Sequence, residues 1–394
     1  MTLRQDARII GSICYAHACA HFYNLLLPVL FPAIRNATGY SWQELGLLMT
    51  VYFLVSGVAQ TLAGVLVDRY GARRVLLGGL ALLCASALWL AQANSWGALL
   101  FGAILAGLGN SVFHPADFAL LNHCISPARL GHAFSMHGLA GHIGWVAAPL
   151  YLLGIAHFAG WHAAMLGAAL LPALAMLLLA QGTPAPQPGP GKQCAGPAMR
   201  SLLRQPALWA SFLFFLVSAL ALGGVQNFLA PVMHQIHHIS LLAASTGLSV
   251  FMSGSACGML AGGFLAAREQ GHERIIAMAF GLAGLLALLL SWRGLPALTL
   301  FPVLFLMGLC SGSAGPARDF LIRRSAPAQA IGRVYGLVYG GLELGFALAP
   351  LLFAGLLDHG RAGMVLLGIG LCQWLAIGAA WLTSGQRLRL PAAA

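Results

Sequence analysis

A few charged residues stand inside long apolar runs of this sequence. Asp117, Glu343 and Arg318 are the clearest cases. A charge in hydrocarbon costs several kcal/mol, so such residues usually face a cavity and mark the path of a solute or a proton. Glu343, with no basic residue close to it in sequence, is the first candidate for carrying a proton, and Asp117 is the second. The alternative for each is a structural acid that bonds to a neighbouring helix.

Arg318 has two interpretations. Its planar donor fork suits an anionic substrate. It can equally be neutralised in a structural pair by Asp319, the next residue, or by Asp117. Both interpretations stay open on the sequence alone.

Histidines form the second unusual group. His17 and His21 are four residues apart, so they share one helix face, and Asn24 continues that face. His114 lies in a separate apolar run. Imidazoles titrate near neutral pH and can handle protons or an anionic substrate. Packing is one alternative, and a transition-metal site with Asp117 is another; the sequence favours substrate binding, with no metal or other cofactor.

The composition shows which elements hold these residues. Apolar residues make up 59% of the 394, and charged residues make up 7%. A soluble domain needs about 25% charged residues to wet its surface, which excludes a soluble enzyme, a secreted disulfide scaffold and a disordered chain. The net charge of +11 is spread over short gaps between apolar runs, so no nucleic-acid partner is expected. The lipid bilayer is the expected solvent.

Twelve apolar segments are each long enough to cross a hydrocarbon core of about 30 Å as a helix. They are 9–34, 42–67, 75–93, 97–122, 131–157, 161–181, 207–233, 241–266, 275–293, 296–318, 330–357 and 361–383.

The gaps between the segments predict the orientation. With both termini in the cytoplasm, 16 of the 20 Lys and Arg residues fall on the cytoplasmic side and three on the far side. Cytoplasmic loops are rich in Lys and Arg. The sequence therefore predicts a multi-pass protein of a bacterial-type inner (plasma) membrane with both termini cytoplasmic.

A proline-rich stretch, Gly182–Gly196, divides the segments into six and six. Because proline favours extended backbone, this stretch is predicted to be a linker. The predicted organisation is an N-terminal bundle (1–181), a cytoplasmic linker (182–206) and a C-terminal bundle (207–394).

The halves also repeat one another. Several glycines and prolines recur 201 residues later, among them Gly107 as Gly308, Pro115 as Pro316 and Gly131 as Gly332. A parallel repeat of six plus six segments is typical of a transporter whose substrate site lies at the membrane midplane. The fold class is therefore an all-α membrane protein with twelve transmembrane helices in two pseudo-symmetric six-helix bundles.

Prolines fall inside segments 1, 4, 7 and 10, where each removes a backbone hydrogen bond and permits a bend. Asn24, Gln226 and Asn227 lie near such prolines. Their amides are predicted to bond the substrate or the freed carbonyls.

The loop between segments 2 and 3 contains a spaced motif, formed by Gly64, Asp68, Arg69, Gly71, Arg73 and Arg74. It resembles the G-x-x-x-D-[RK]-x-G-x-[RK]-[RK] loop of the major facilitator superfamily at every fixed position. The resemblance implies the major facilitator fold, a monomer, and a gating role for these six residues as a conformational latch.

The stretch from Gly107 to Asp117 is similar to a segment of fosmidomycin-resistance efflux transporters, G-x-G-x-S-V-F-H-P-E. This chain has Ala116 where those proteins have glutamate, and its acid comes one position later at Asp117.

These observations predict a secondary active transporter that exports a small polar or amphipathic compound in exchange for protons. The alternative is a proton-coupled importer of a small organic acid or a metal–ligand complex. The sequence has neither an HExxH metallohydrolase motif nor a P-loop lysine, so neither an enzyme nor an ATP-driven pump is expected.

Overall fold

The computed structural model describes residues 3–182, 203–268, 271–325 and 331–384. It gives the backbone alone for residues 3, 127, 128, 182, 319–325, 331–336 and 384. Most of the predicted linker, 183–202, lies outside the described residues.

Contacts divide the chain into two compact units, 1–191 and 192–394. The described part of the first unit consists of seven helices. They are α1 (Leu3–Asn24), α2 (Leu26–Thr38), α3 (Trp42–Tyr70), α4 (Ala72–Leu90), α5 (Trp96–Asn110), α6 (Phe113–Cys124) and α7 (Pro127–Gly182).

The described part of the second unit consists of six helices. They are α8 (Pro206–His237), α9 (Leu241–Arg268), α10 (His272–Leu290), α11 (Ala297–Ser325), α12 (Ile331–Asp358) and α13 (Ala362–Ser384).

These helices make twelve membrane spans. Within the described residues, eleven helical stretches are long and apolar enough to cross a bilayer. One of them, within α7, is 53 residues long and contains a non-helical residue, Gly160, with φ of 80°. Glycine adopts this left-handed conformation without steric cost, so α7 is two spans joined at Gly160. The predicted fold, twelve helices in two six-helix bundles, is confirmed.

The two units are built alike. Helices α4 and α10 occupy equivalent places in the repeat, and each has 19 residues. The stretch from Trp96 to Cys124 (α5 with α6) and helix α11 are both 29 residues long.

Two spans are interrupted close to a proline. The first breaks between α1 and α2 at Leu25, three residues before Pro28, and the fourth breaks at Ser111–Val112, just before Pro115. Because proline has no N–H, the carbonyl four residues earlier loses its helical partner. The seventh and tenth spans continue as helix through Pro231 and Pro316.

Large apolar side chains cover the outside of both units. Phe264 is 73% exposed, Leu298 is 88% exposed and Phe158 is 86% exposed. In water, apolar exposure on this scale would favour aggregation. In a bilayer the same side chains contact lipid tails, as a transmembrane bundle requires.

Helices α1 and α7 pack unusually closely. A Cβ atom added at Gly144 of α7 would collide with the backbone carbonyl of Ala18 in α1. A Cβ at Gly141, one turn earlier, would lie 2.6 Å from the imidazole of His21. These glycines allow α7 to bring its neighbouring side chains onto the histidine face of α1.

An ion pair joins the same two helices at their beginnings. The guanidinium of Arg129 in α7 lies 2.7 Å from Oδ2 of Asp6 in α1, and the Ser126 hydroxyl donates to the same oxygen at 2.8 Å. Asp6 is fully buried. This contact fixes the start of α1 against α7 and so helps to hold the histidine face in register.

Candidate functional site

Two imidazoles converge on one carboxylate in the first unit. Nδ1 of His17 and Nε2 of His137 each lie 3.0 Å from Oδ2 of Asp117, close enough for both ring nitrogens to hydrogen-bond to that oxygen. All three side chains are less than 5% exposed. They come from α1, α6 and α7, and we call them the His–Asp–His triad.

The two imidazoles of the triad also stack on one another. Their ring centroids are 3.6 Å apart, with an angle of 28° between the planes. Two protonated imidazoles at this distance would repel each other in a site with little water. At most one of them is therefore expected to carry a proton charge at a time.

Further rings surround the triad. The ring of His21 lies 4.5 Å from that of His17, and the ring of His114 lies 5.5 Å from it. Trp145 of α7 packs on His21 at 4.4 Å. The sequence-predicted residues His17, His21, His114 and Asp117 are thus brought together.

Sequence reasoning placed His137 in the fifth span but gave it no part in the site. The position of His137 in the sequence does not indicate the site, because its partners Asp117 and His17 are 20 and 120 residues away along the chain. The glycines at 141 and 144 were the available hint, since small residues mark close helix packing in membranes.

Several buried polar atoms in this region have no hydrogen-bond partner among the described residues. Among them are Oδ1 of Asp117, Nδ1 of His21 and Nε1 of Trp145. Buried polar atoms are nearly always paired with protein or with water. Their presence beside the triad favours a site that receives a ligand, a water or a proton.

Asn24 has a structural partner instead. Its Oδ1 accepts a hydrogen bond of 2.7 Å from the Tyr52 hydroxyl of α3. The bond links α1 to α3 at the point where the first span is interrupted.

A second group of candidate residues lies in α8. Gln226 is 2% exposed, and neither of its side-chain polar atoms has a partner among the described residues. The adjacent Asn227 donates to the backbone carbonyl of Gly223 at 2.8 Å, which is a bond within its own helix. The two amides predicted together therefore differ: the side chain of Gln226 is available to a ligand, whereas the amide nitrogen of Asn227 is already bonded.

The second unit encloses a cavity of about 80 Å³. Arg318 of α11 contributes to its wall, together with Ser218 of α8 and Gln373 of α13. Gln373 donates to the Ser311 hydroxyl at 3.2 Å. Aromatic side chains of α9 and α10, Phe251 and Phe280, supply apolar wall.

Within this unit the guanidinium of Arg318 lies 4.5 Å from the ring centroid of Phe215, over its face. A cation–π contact of this kind orients a guanidinium without neutralising it. The side chain of Asp319, one of the two counter-ions considered from the sequence, lies outside the described residues.

Glu343 lies in α12, next to Leu342 of the cavity wall. Its side chain is 8% exposed, and its Oε2 has no hydrogen-bond partner among the described residues. Buried polar atoms are nearly always paired with protein or with water. The proton-carrying role of the residue stays a prediction.

The motif predicted as a loop lies mostly in helix. Gly64, Asp68 and Arg69 belong to the end of α3, Arg73 and Arg74 to the start of α4, and only Gly71 lies between the two helices. Asp68 and Arg69 are exposed, and Gly71 ends α3 by donating to the carbonyl of Val67 at 2.9 Å. Arg73 donates to the carbonyls of Leu179 and Ala180 at the end of α7, which anchors this turn and leaves Asp68 accessible.

With this geometry described, comparison with known proteins decides the family. A sequence model of the Major Facilitator Superfamily matches residues 13–350 and 223–392. The chain belongs to the major facilitator superfamily. It is a membrane transporter of small molecules and not an enzyme.

Curated relatives have diverse names. The chain is 27% identical over 396 residues to the MFS-type transporter YfnC of Bacillus subtilis, covering 97% of this chain and 93% of that protein. It is 25% identical to a probable nitrate/nitrite transporter, NarK2, of Mycobacterium tuberculosis, over 85% of both chains. A match to the fosmidomycin resistance protein of Escherichia coli is 28% identical but spans 37% of this chain and 36% of that protein.

Solved structures share the fold. An inward-facing, occupied bacterial homolog of the human lysosomal transporter Spinster superposes with a TM-score of 0.81 at 14% identity, covering all of both chains. The nucleoside transporter NupG superposes with a TM-score of 0.78, also at 14% identity, over 96% of this chain and 99% of that one. At such identities the likeness concerns the fold alone.

Proposed function

We propose that this superfamily member is a secondary active transporter that exports a small polar or amphipathic compound in exchange for protons. Transport is by alternating access, in which the substrate site opens to one side of the membrane at a time. The observation that carries the proposal is the pair of buried carboxylates, Asp117 and Glu343, each with an oxygen that lacks a partner among the described residues.

The two carboxylates have different surroundings. Asp117 is held by two imidazoles, which can donate to its ionised form or accept its proton. Glu343 has an apolar neighbourhood that favours its neutral form. We assign proton coupling to both: Glu343 releases its proton when its site opens to water, and Asp117 exchanges its proton with the imidazoles.

Substrate binding is assigned to polar side chains of both units. In the second unit these are Gln226, whose amide lacks a partner among the described residues, and Arg318, which lies in the wall of the cavity beside aromatic side chains. In the first unit they are the residues predicted from the sequence, His17, His21, His114 and Asn24. A guanidinium over an aromatic ring suits a compound with an anionic group and an apolar part.

The lysine and arginine distribution supports an inner-membrane location with both termini in the cytoplasm. In that orientation the loop of Asp68 and Arg69 is cytoplasmic, where the superfamily resemblance implies a gate.

Import is the second candidate. The same machinery would import a small organic acid or a metal–ligand complex if protons and substrate moved together. The specific observation in its favour is Arg318 in the cavity, together with the likeness to a probable nitrate/nitrite transporter.

The direction of an imposed pH gradient separates the two candidates. Protein is reconstituted into liposomes with either an acidic or an alkaline lumen, and uptake of labelled fosmidomycin and of nitrate is measured. If the substrate is exchanged for protons, the labelled compound should accumulate in liposomes with an acidic lumen, whatever the orientation of the protein. Accumulation in the alkaline lumen would establish import with protons, and uptake that ignores both gradients would reject proton coupling.

A further inference from the structure

We infer that the His–Asp–His triad of the first unit is a binding site for one divalent transition-metal ion of the zinc type. Nδ1 of His17, a carboxylate oxygen of Asp117 and Nε2 of His137 all lie within 4.8 Å of one another. The inference concerns binding alone, and it does not depend on which compound the protein transports. Because metal ligands must be deprotonated, a bound ion and the proton assigned to Asp117 would occupy the triad in turn.

The donor set fits this class of metal. Two imidazole nitrogens and one carboxylate oxygen are a common protein ligand set for Zn²⁺, with bonds of about 2.0–2.2 Å. Ligand atoms of one tetrahedral ion are then about 3.3 Å apart. The two nitrogens are each 3.0 Å from the carboxylate oxygen, a few tenths of an ångström short of this spacing, and the three ligand atoms lie within 4.8 Å of one another, so small movements of the side chains suffice to hold an ion.

The site also has groups for the remaining coordination. Oδ1 of Asp117 and Nδ1 of His21 are buried and have no partner among the described residues. The ring of His21 lies 4.5 Å from that of His17. An imidazole or a water completes a four-coordinate site.

The number of imidazoles separates a metal site from a simple proton relay. One histidine beside Asp117 suffices to exchange a proton, whereas here two bond to the same oxygen and two more rings lie within 5.5 Å of His17. Stacked imidazoles disfavour double protonation, but both can bind one cation through neutral nitrogens. Nitrogen-rich sites select Zn²⁺, Co²⁺, Ni²⁺ and Cu²⁺ over Mg²⁺ and Ca²⁺.

The site is rigid enough for this purpose. Its three ligands come from different helices, and the glycines of α7 allow α1 to approach closely beside them. The Asp6–Arg129 ion pair fixes the same two helices at one end. Binding energy is therefore not spent on assembling the ligands.

The test uses full-length protein in detergent at pH 7.5, purified with a tag that contains no histidine. Co²⁺ is titrated while its visible absorption is followed, and Zn²⁺ is then added to displace it. We expect one Co²⁺ per chain with the intense absorption of a four-coordinate ion, displaced by an equal amount of Zn²⁺ and unaffected by excess Mg²⁺.

Variants identify the ligands. His137→Asn and His17→Asn should each weaken Co²⁺ binding at least about tenfold, as losing a supporting group already does in other metal sites. His132→Ala removes an exposed histidine of α7, the helix that contains His137, and this variant should bind Co²⁺ as the wild type does. Thermal unfolding of each variant confirms that it is folded.

Three results would overturn the inference. One is wild-type protein that binds no Co²⁺ above buffer. The second is Co²⁺ binding by both triad variants that equals that of the wild type. The third is a loss of Co²⁺ binding in the His132→Ala control that is as large as in the triad variants. The pH-gradient assay is a separate readout, so proton-coupled transport in a protein that binds no metal would reject the metal site and leave the proposed function intact.

Discussion

The buried amide of Gln226 gives the sharpest prediction for a single residue. Its two polar atoms have no partner among the described residues, although the side chain is 2% exposed. Burying an unpaired polar group is unfavourable, and replacing it by an apolar side chain of similar shape is close to neutral or stabilising. A residue kept for stability alone would not be an unpaired amide.

Gln226→Leu should therefore leave the melting temperature unchanged or raise it, while KM for the transported probe rises about tenfold because one substrate bond is lost. Scanning fluorimetry in detergent and liposome uptake measure the two effects. Gln92→Leu, which replaces an exposed glutamine, is the control and should change neither. A lower melting temperature with unchanged KM would return Gln226 to a packing role.

At this scale the sequence indicated several residues that the structure brings together, but it did not indicate which partners they bond. His17, His21, His114 and Asp117 were singled out because charged and imidazole groups are rare in apolar runs. Asn24 was expected near the substrate, yet it bonds to Tyr52, a residue that no local pattern connects to it. Such pairings depend on how helices pack, which one sequence without relatives does not reveal.

At the scale of the elements, the contact between α1 and α7 positions the site. Gly144→Ala places a methyl group against the Ala18 carbonyl, so the helices must separate. Overpacking of this kind typically costs about 1–3 kcal/mol. We expect a lower melting temperature and, because His137 moves away from Asp117, weaker Co²⁺ binding.

Gly154→Ala is the matched control, since it lies in the same helix and a Cβ there meets nothing within 4 Å. Its melting temperature should stay constant or rise slightly, because alanine favours helix by up to about 1 kcal/mol over glycine. If both variants unfolded at the same temperature, close packing at Gly144 would not explain the geometry of the triad.

Helix positions were predictable because apolar runs of about 20 residues have few other possible structures. The helix ends differ from the predictions by several residues: the first helix begins at Leu3 rather than near residue 9. Hydropathy marks the lipid-embedded part of a helix and not the polar turns that extend it. The prolines at 28 and 115 marked helix interruptions, whereas those at 231 and 316 lie in continuous helix, so proline alone does not determine a break.

At the scale of the whole molecule, the repeat places different chemistry in equivalent positions. Asp117 in the first unit aligns with Arg318 in the second at the offset of 201 residues. One unit thus offers a carboxylate with imidazoles, and the other offers a guanidinium with a cavity. This division supports the assignment of anion binding to Arg318 in the second copy of the repeat, whereas the proposed proton carriers, Asp117 and Glu343, lie one in each unit.

The loop of Asp68 also belongs to this scale, because a gate acts on the whole transport cycle. Asp68→Asn should slow uptake about tenfold without changing the melting temperature, since the side chain is exposed. Glu273→Gln, which removes an acid from the first turn of α10 in the second unit, is the control and should transport normally. Equal rates for wild type and Asp68→Asn would show that this loop has no gating role.

The central claim is that the buried carboxylates carry the coupled proton. Uptake driven by a pH gradient and exchange of labelled for unlabelled substrate at equal pH separate coupling from binding. The probe is the compound that gives the largest thermal shift in a screen of nitrate, organic acids and phosphonates such as fosmidomycin.

Glu343→Gln should keep exchange at equal pH and lose uptake driven by the gradient, whereas Asp358→Asn, near the end of the same helix, should keep both. Asp117→Asn is expected to behave as Glu343→Gln does. Gradient-driven uptake at the wild-type rate in both Glu343→Gln and Asp117→Asn would contradict the account.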